Sequence, residues 1–355
     1  MISKKYLNIF ITLLLVATLL GACAPKVTEA PVAEETTVAA PTDLHIMAIF
    51  ESPLEQPWCD TLNRDMKKVI AEKPHSLNIT WDYTESVSMA DAERVLRDMA
   101  ESGKYNVIWA HSGYSDAIKL IKDEYPNIAW IYSGPGNTFL GGGDNTYWYM
   151  VHVHESGYLL GVTAGLLTKT NIVGSVAAYP YSDPNDVLNG FVDGAKATNP
   201  DVKVKISYIE AWFDPPKAKE ATYGMIAAGA DVIFAERYGV SQACEEKGVY
   251  ALGQYIDQYD LAPKVTVTGT LLFWTPYINY IIDEWWTHAT TGNPYNSPKE
   301  AVWFTMAQGA TDIAPFHDFE QKLPKEVIDQ IMKTKQDILD GKLVVPLKIE
   351  PAPTD

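Results

Sequence analysis

Indole and phenol rings stand beside carboxylates and hydroxyls in a recurring arrangement along this chain, each group falling just after a short apolar run. Glu51-Ser52-Pro53-Leu54-Glu55-Gln56-Pro57-Trp58 is the first such group, His111-Ser112-Gly113-Tyr114-Ser115-Asp116 the second and Glu210-Ala211-Trp212-Phe213-Asp214-Pro215 the third. Glu236-Arg237-Tyr238-Gly239, Gly253-Gln254-Tyr255-Ile256-Asp257 and Phe273-Trp274 continue the series. Such sets can capture a flat, partly apolar solute: its rings stack on indole or phenol faces while carboxylates accept from its N–H and O–H groups. Trp58, Tyr114 and Trp212 are the candidate stacking faces, with Phe213 and Trp274 beside them. Asp116, Glu236 and Asp257 are the candidate acceptors, and Ser112 supplies a hydroxyl. Each also has a purely structural reading. Asp214 fits an N-cap ahead of Pro215 at the first helical position, Asp116 a cap of its own helix, and Trp212 or Phe213 a place in the core.

Turnover chemistry has no comparable signature. The sequence contains no Gly-x-Ser-x-Gly elbow, no Walker phosphate loop and no His-Glu-x-x-His. Carboxylates are plentiful, but nothing sets two of them at a glycosidase separation. No catalytic residue and no cofactor is expected. Metal is not expected either, since the seven histidines form no paired motif with cysteine or carboxylate. His152 and His154 alternate along what reads as one strand face, in structural roles.

The elements that must position these groups alternate strictly. Residues 44–50, 78–83, 107–110, 128–132 and 147–151 read as strands, separated by helices over 58–71, 90–102 and 115–124. The same grammar then restarts with a helix over 155–168 carrying Gly157, Gly161 and Gly165 on one stripe, where small residues let a neighbour approach closely. Strands over 172–178, 202–209, 231–235, 249–253 and 265–270 follow, with helices over 185–198, 215–228 and 241–247. Strand, helix, strand in repetition implies α/β architecture with parallel sheets covered on both faces. The tail offers a helix over 276–290, a strand near 301–306 and a helix over 324–340, too few elements for a third domain, so they must complete the first two. Two doubly wound lobes result, 44–150 with about 271–300 and 151–270 with about 301–350, joined by a hinge of several parallel crossings. In such sheets ligands sit beyond the carboxyl ends of the strands, which is where the aromatic groups fall.

Export is written at the other end. Met1–Lys5 carries two lysines, residues 6–20 are apolar, and Leu20-Gly21-Ala22-Cys23 follows. This is a secretory signal over residues 1–22, too short for an ordinary membrane span, ending in a lipidation site at Cys23. Residues 24–41 are rich in Ala, Pro, Thr, Val and Glu with no hydrophobic period, so residues 23–43 are expected to be a disordered tether. The protein is expected on the extracytoplasmic face of a membrane, periplasmic or extracellular, held by lipid. Loss of residues 1–22 removes Lys4 and Lys5 and takes the formal charge from −17 to −19. An acidic field of that size repels phosphate backbones and excludes nucleic acid as a partner. Cys59 and Cys244 lack metal or redox spacing and read as separate thiols.

Several stretches resemble the basic membrane protein family, the PnrA-like substrate-binding lipoproteins of ABC importers. They are 110–117 (Ala-His-Ser-Gly-Tyr-Ser-Asp-Ala), Gly157–Val162 with Thr168–Thr170, Asn189-Gly190-Phe191 with Gly194-Ala195, Trp212-Phe213-Asp214-Pro215 followed by Gly229–Ile233, and Glu245–Tyr250. The likeness runs from about Ile46 to Phe316. It implies a type I periplasmic-binding fold, capture of a purine nucleoside or purine base without catalysis, and an ABC permease as membrane partner. By position it implies ligand contacts for Trp58, Tyr114, Asp116, Trp212 and Asp257. Two departures bear on ribose recognition: Glu51–Pro57 replaces the usual glycine- and aspartate-rich turn, and Glu236-Arg237 is a charged pair where less charge is expected. A sensory receptor of the same fold is one alternative. An exported carbohydrate-active protein, suggested by ten tryptophans and twenty tyrosines, is another.

Overall fold

Residues Val107–His111 and Ala129–Tyr132 are buried along their whole length. That is the signature of strands covered on both faces, and it explains why these runs are continuously apolar rather than alternating. The computed structural model describes residues 40–355 apart from Pro135; the expected export signal, Cys23 and nearly all of the tether lie outside the described residues.

The first half contains β1 (Asp43–Phe50), α1 (Pro57–Glu72), β2 (Asn78–Thr84), α2 (Ala92–Glu101), β3 (Val107–His111), α3 (Ser115–Ile121), β4 (Ala129–Tyr132) and β5 (Thr146–Val151). The second contains α4 (Val153–Leu167), β6 (Ile172–Ala177), α5 (Ser182–Thr198), β7 (Lys203–Tyr208), α6 (Pro215–Ala227), β8 (Val232–Phe234), α7 (Val240–Lys247), β9 (Tyr250–Gly253) and β10 (Thr266–Leu272). The tail adds α8 (Thr275–Thr291), β11 (Val302–Phe304), β12 (Thr311–Ile313), α9 (Phe319–Lys322) and α10 (Lys325–Leu339). Two six-stranded sheets form, in the orders β11-β5-β4-β3-β1-β2 and β12-β10-β9-β8-β6-β7. All pairings are parallel except β10 with β12. This is the two-lobed α/β arrangement that the alternation implies. Among the described residues no helix is long and apolar enough to cross a membrane.

Local chemistry explains the helix ends. Pro57 opens α1, where its missing N–H is no loss, and the Gln56 side chain accepts from Cys59 N at 3.1 Å. Asp214 caps α6 by accepting from Lys217 N at 3.0 Å, ahead of Pro215. Helices α4 and α5 lie against each other through Gly157, Gly161 and Gly165 on one side and Gly190 and Gly194 on the other; a Cβ at any of these would fall within 2.6 Å of a neighbouring atom of the facing helix.

The chain crosses between lobes three times. The crossings follow β5, β10 and β11, and His152 N donates to Phe304 O at 2.8 Å where the first and third run side by side. The middle crossing is fastened to α1: Asp65 Oδ2 accepts from Trp274 N at 2.5 Å and Thr275 N at 3.2 Å, and Arg64 Nη2 donates to Leu272 O at 3.0 Å. Two details differ from the sequence expectation. The strand near 301–306 pairs with β5 in the first sheet, not with the second lobe, whose edge is supplied by the unforeseen β12. His152 and His154 stand at the start of α4, not on a strand, with their rings 4.7 Å apart. Among the described residues no group of three or more side chains could hold a metal ion. Cys59 and Cys244 are free and buried, and burial pushes both thiols up to about 12.

Candidate ligand-binding site

The carboxyl ends of both sheets face one another across a cavity lined by both lobes. The first lobe contributes Glu51, Gln56, Trp58, His111 and Ser112; the second contributes Asp183, Pro184, Trp212, Glu236, Arg237 and Tyr255.

On the first lobe, Trp58 stands in the first turn of α1 and stacks on His111 at 4.7 Å and 17°. Trp274 meets its indole edge-on at 5.1 Å, and Tyr255 reaches it across the gap at 5.7 Å. Gly134, at φ +105°, leaves room for the ring, since a Cβ there would press on it at 3.2 Å. His111 is fully buried between Ser133 Oγ at 3.0 Å and Trp58 O at 3.2 Å. Burial lowers its ring to about 3, so it is a neutral aromatic platform. Ser112 Oγ donates to Glu51, whose carboxyl burial pushes up and this bond pulls back.

The second lobe holds the charge. Arg237 grips Glu236 with two bonds, Nε to Oε2 at 2.7 Å and Nη2 to Oε1 at 2.5 Å, and donates from Nη1 to Trp212 O at 2.7 Å. Glu236 also accepts from Ala178 N at 3.0 Å and from Gln254 Nε2 at 3.2 Å. Burial pushes the Glu236 carboxyl up while Arg237 opposes it. The Trp212 ring is half-buried beside Tyr179 at 5.0 Å and Tyr181 at 6.0 Å, with the Arg237 guanidinium 5.9 Å from its centre. Asp183 in the first turn of α5 accepts from Ser182 Oγ at 3.0 Å through Oδ1, while its buried Oδ2 has no partner. Burial raises its carboxyl to about 7. Asp186, one turn on, is pushed well up by burial and by Asp183. Tyr255 holds a left-handed backbone at φ +66°, a strained conformation for a bulky residue and one that recurs at binding sites.

Of the sequence candidates, Trp58, Ser112, Trp212 and Glu236 line this cavity. The other five stand elsewhere. Tyr114 is 1 % exposed and donates to Val87 O at 2.6 Å, filling the layer between α2 and α3. Asp116 lies on the exposed face of α3, where a carboxylate in the first turn suits the helix dipole. Phe213 turns toward Tyr238 at 6.0 Å. Asp257 is exposed and pairs with His317 at 2.6 Å. Trp274 is fully buried, donates from Nε1 to Thr61 Oγ1 at 3.0 Å, and supports Trp58 from behind. Sequence reasoning missed His111, Asp183, Tyr255 and Gln56. Asp183 was within reach of the same loop rule, because Tyr179-Pro180-Tyr181-Ser182-Asp183-Pro184 follows β6 as the other groups follow their strands.

Two hinged α/β lobes closing on an aromatic and polar cavity define a solute-binding protein of the periplasmic-binding type. The chain belongs to the PnrA-like family of ABC transporter substrate-binding proteins, whose profile matches residues 57–347. It is thus a binding component, not an enzyme. A purine-binding protein of Brucella abortus is 26% identical over 260 residues, covering 72% of this chain and 69% of that one. A putative ABC transporter glucose-binding protein of Haloferax volcanii is 28% identical over 267 residues, covering 74% of this chain and 64% of that one, a little under two thirds. An ABC transporter nucleoside-binding protein of Lactococcus lactis is 26% identical over 212 residues, 55% of this chain and 58% of that one. Among solved structures, an ABC transporter solute-binding protein of Aeropyrum pernix superposes with a TM-score of 0.69 at 15% identity, covering 86% and 94% of the two chains. One from Conexibacter woesei gives 0.64 at 17%, covering 86% and 100%. These share the fold.

Proposed function

We propose that the cleft captures a purine base or purine nucleoside outside the cytoplasm and hands it to a membrane permease, the protein being held nearby by lipid on Cys23. The observation that carries this reading is the pair of indoles, Trp58 and Trp212, on opposite lobes of one cavity that also presents Glu51, Ser112, Asp183, Glu236 and Arg237. A planar heterocycle offers faces to the rings and an edge to the carboxylates. The purine-binding and nucleoside-binding relatives support the same class.

A thermal-shift panel of purine bases, purine nucleosides and hexoses tests it. A true ligand at a thousandfold excess over Kd stabilises the protein by about 4 kcal/mol. A shift with glucose and none with any purine overturns the assignment. Trp212→Ala is expected to weaken purine binding by about 1–3 kcal/mol, the scale of base–aromatic stacking, with little change in fold because the ring is half-exposed. Unfolding of this variant would show the ring to be structural. Cys23→Ser is expected to move the protein from the membrane fraction to the soluble exported fraction; unchanged membrane association would sink the lipid anchor.

A further inference from the structure

Tyr255 stands in a backbone that an aromatic residue seldom adopts. Its φ is +66°, and Ile256 N donates to Gln254 O at 2.8 Å around it, which makes a three-residue γ-turn of the rare, strained hand. Such strain persists only where neighbours enforce it. Two bonds from the end of β10 do so: Tyr255 N donates to Thr270 Oγ1 at 3.0 Å, and Tyr255 O accepts from Leu272 N at 3.0 Å. The ring is thereby aimed across the gap, where it meets Trp58 of the other lobe at 5.7 Å.

The same bonds reach the hinge. Leu272 is fully buried and joined to both lobes: its N–H to Tyr255 O in the second, its carbonyl to Arg64 Nη2 on α1 in the first. Phe273 N still follows the second lobe, donating to Ala310 O at 2.8 Å beside β12, whereas Trp274 N and Thr275 N belong to Asp65 of the first. The middle crossing therefore changes lobes within a few residues, and any swing must be absorbed by their dihedrals. Movement there pulls on the Tyr255 carbonyl, and movement of the Tyr255 ring pulls on Leu272.

We propose that Tyr255 couples the cleft to the hinge, with Thr270 as the positioning residue that keeps its turn. Contact of the ring with Trp58 holds the Leu272 pivot in its closed setting. Loss of the Thr270 bond frees the turn, withdraws the ring and loosens the pivot together. This goes beyond the ligand reading, because it holds for any solute on which the lobes close. Thr268 supplies the comparison: it lies two residues earlier on β10, is also buried, and its hydroxyl donates to Ala314 O at 2.6 Å, outside the turn.

The test compares Thr270→Val, Thr270→Ser and Thr268→Val with the wild type in two measurements. One is hydrogen exchange of the Leu272 amide in the free protein, read by NMR; the other is the release rate of adenine and of adenosine by stopped flow. Valine keeps the shape of threonine and removes the acceptor, so Thr270→Val is expected to speed both by about tenfold, the scale of one buried hydrogen bond. Thr270→Ser restores the acceptor and should return both to within about threefold of the wild type. Thr268→Val should lower the urea midpoint as Thr270→Val does, yet leave both rates within about threefold. Unchanged Leu272 exchange in Thr270→Val, equal effects from Thr268→Val, or no recovery in Thr270→Ser overturns the coupling; so does faster exchange with unaltered release. If neither compound binds, the purine reading falls and the exchange measurement alone decides the coupling.

Discussion

Arg237→Ala is expected to lower the unfolding free energy by about 3–5 kcal/mol at neutral pH, because it strands a carboxylate rather than merely removing a contact. The side chains of Glu236 and Arg237 are 0% and 6% exposed, and two bonds join them. Without the guanidinium, only Ala178 N and the Gln254 amide still donate to Glu236, and desolvation drives its carboxyl higher still. Folded Glu236 then holds its proton more tightly than unfolded Glu236. The deficit is therefore full above the new folded value and shrinks as pH falls toward the ordinary carboxylate range. Urea midpoints across pH read this directly, and Glu236→Gln in the same background is expected to restore a large part of the loss. A deficit below about 1 kcal/mol, or one that does not vary with pH, would show that the pair is dispensable.

Gly161→Ala is expected to be of similar severity by a different route. Its Cβ would lie 2.1 Å from Phe191 O and 2.7 Å from Ala195 N, and the facing Gly194 meets Tyr158 O at 2.0 Å in the same way. Backbone atoms cannot rotate aside as a side chain does, so α4 and α5 must separate along their length. A loss of about 3 kcal/mol or more follows, at the upper end of overpacking effects. Since α5 begins with Asp183 and Pro184, ligand affinity should fall with stability. Gly224→Ala is the matched control. It lies in α6 with nothing within 4 Å of its Cβ, and the change should stabilise by about 0.5–1 kcal/mol through helix propensity. Similar thermal midpoints for the two variants would dismiss the close-approach argument.

What could be read from the chain alone follows from which signals are local. The Gly157–Gly161–Gly165 stripe announces a close neighbour because only backbone contact needs such spacing, and α5 answers with Gly190 and Gly194. Strands such as β3 and β4 show in composition because burial on both faces leaves no polar positions. β11 and β12 have three residues each, too few to carry a period, so which sheet each joins is decided by tertiary pairing. The cleft follows the same division. Trp58 and Tyr114 have identical credentials in sequence, each an aromatic at a helix start beyond a strand end. One lines the gap and the other fills the space beside α2, because the depth of the layer behind each loop is a property of the assembled fold. Asp183 escaped notice because it falls just ahead of the helix expected over 185–198, which the structure begins at Ser182. Only its missing partner in the folded protein marks it out.

Helix α1 carries a ring of the cleft in its first turn and, at Arg64 and Asp65, the ties to the middle crossing. Seven residues of helix, about 10 Å, separate Trp58 from that tie. A rod this short and rigid acts as a lever: any turn of one lobe against the other at the β10–α8 crossing swings the indole by the same angle.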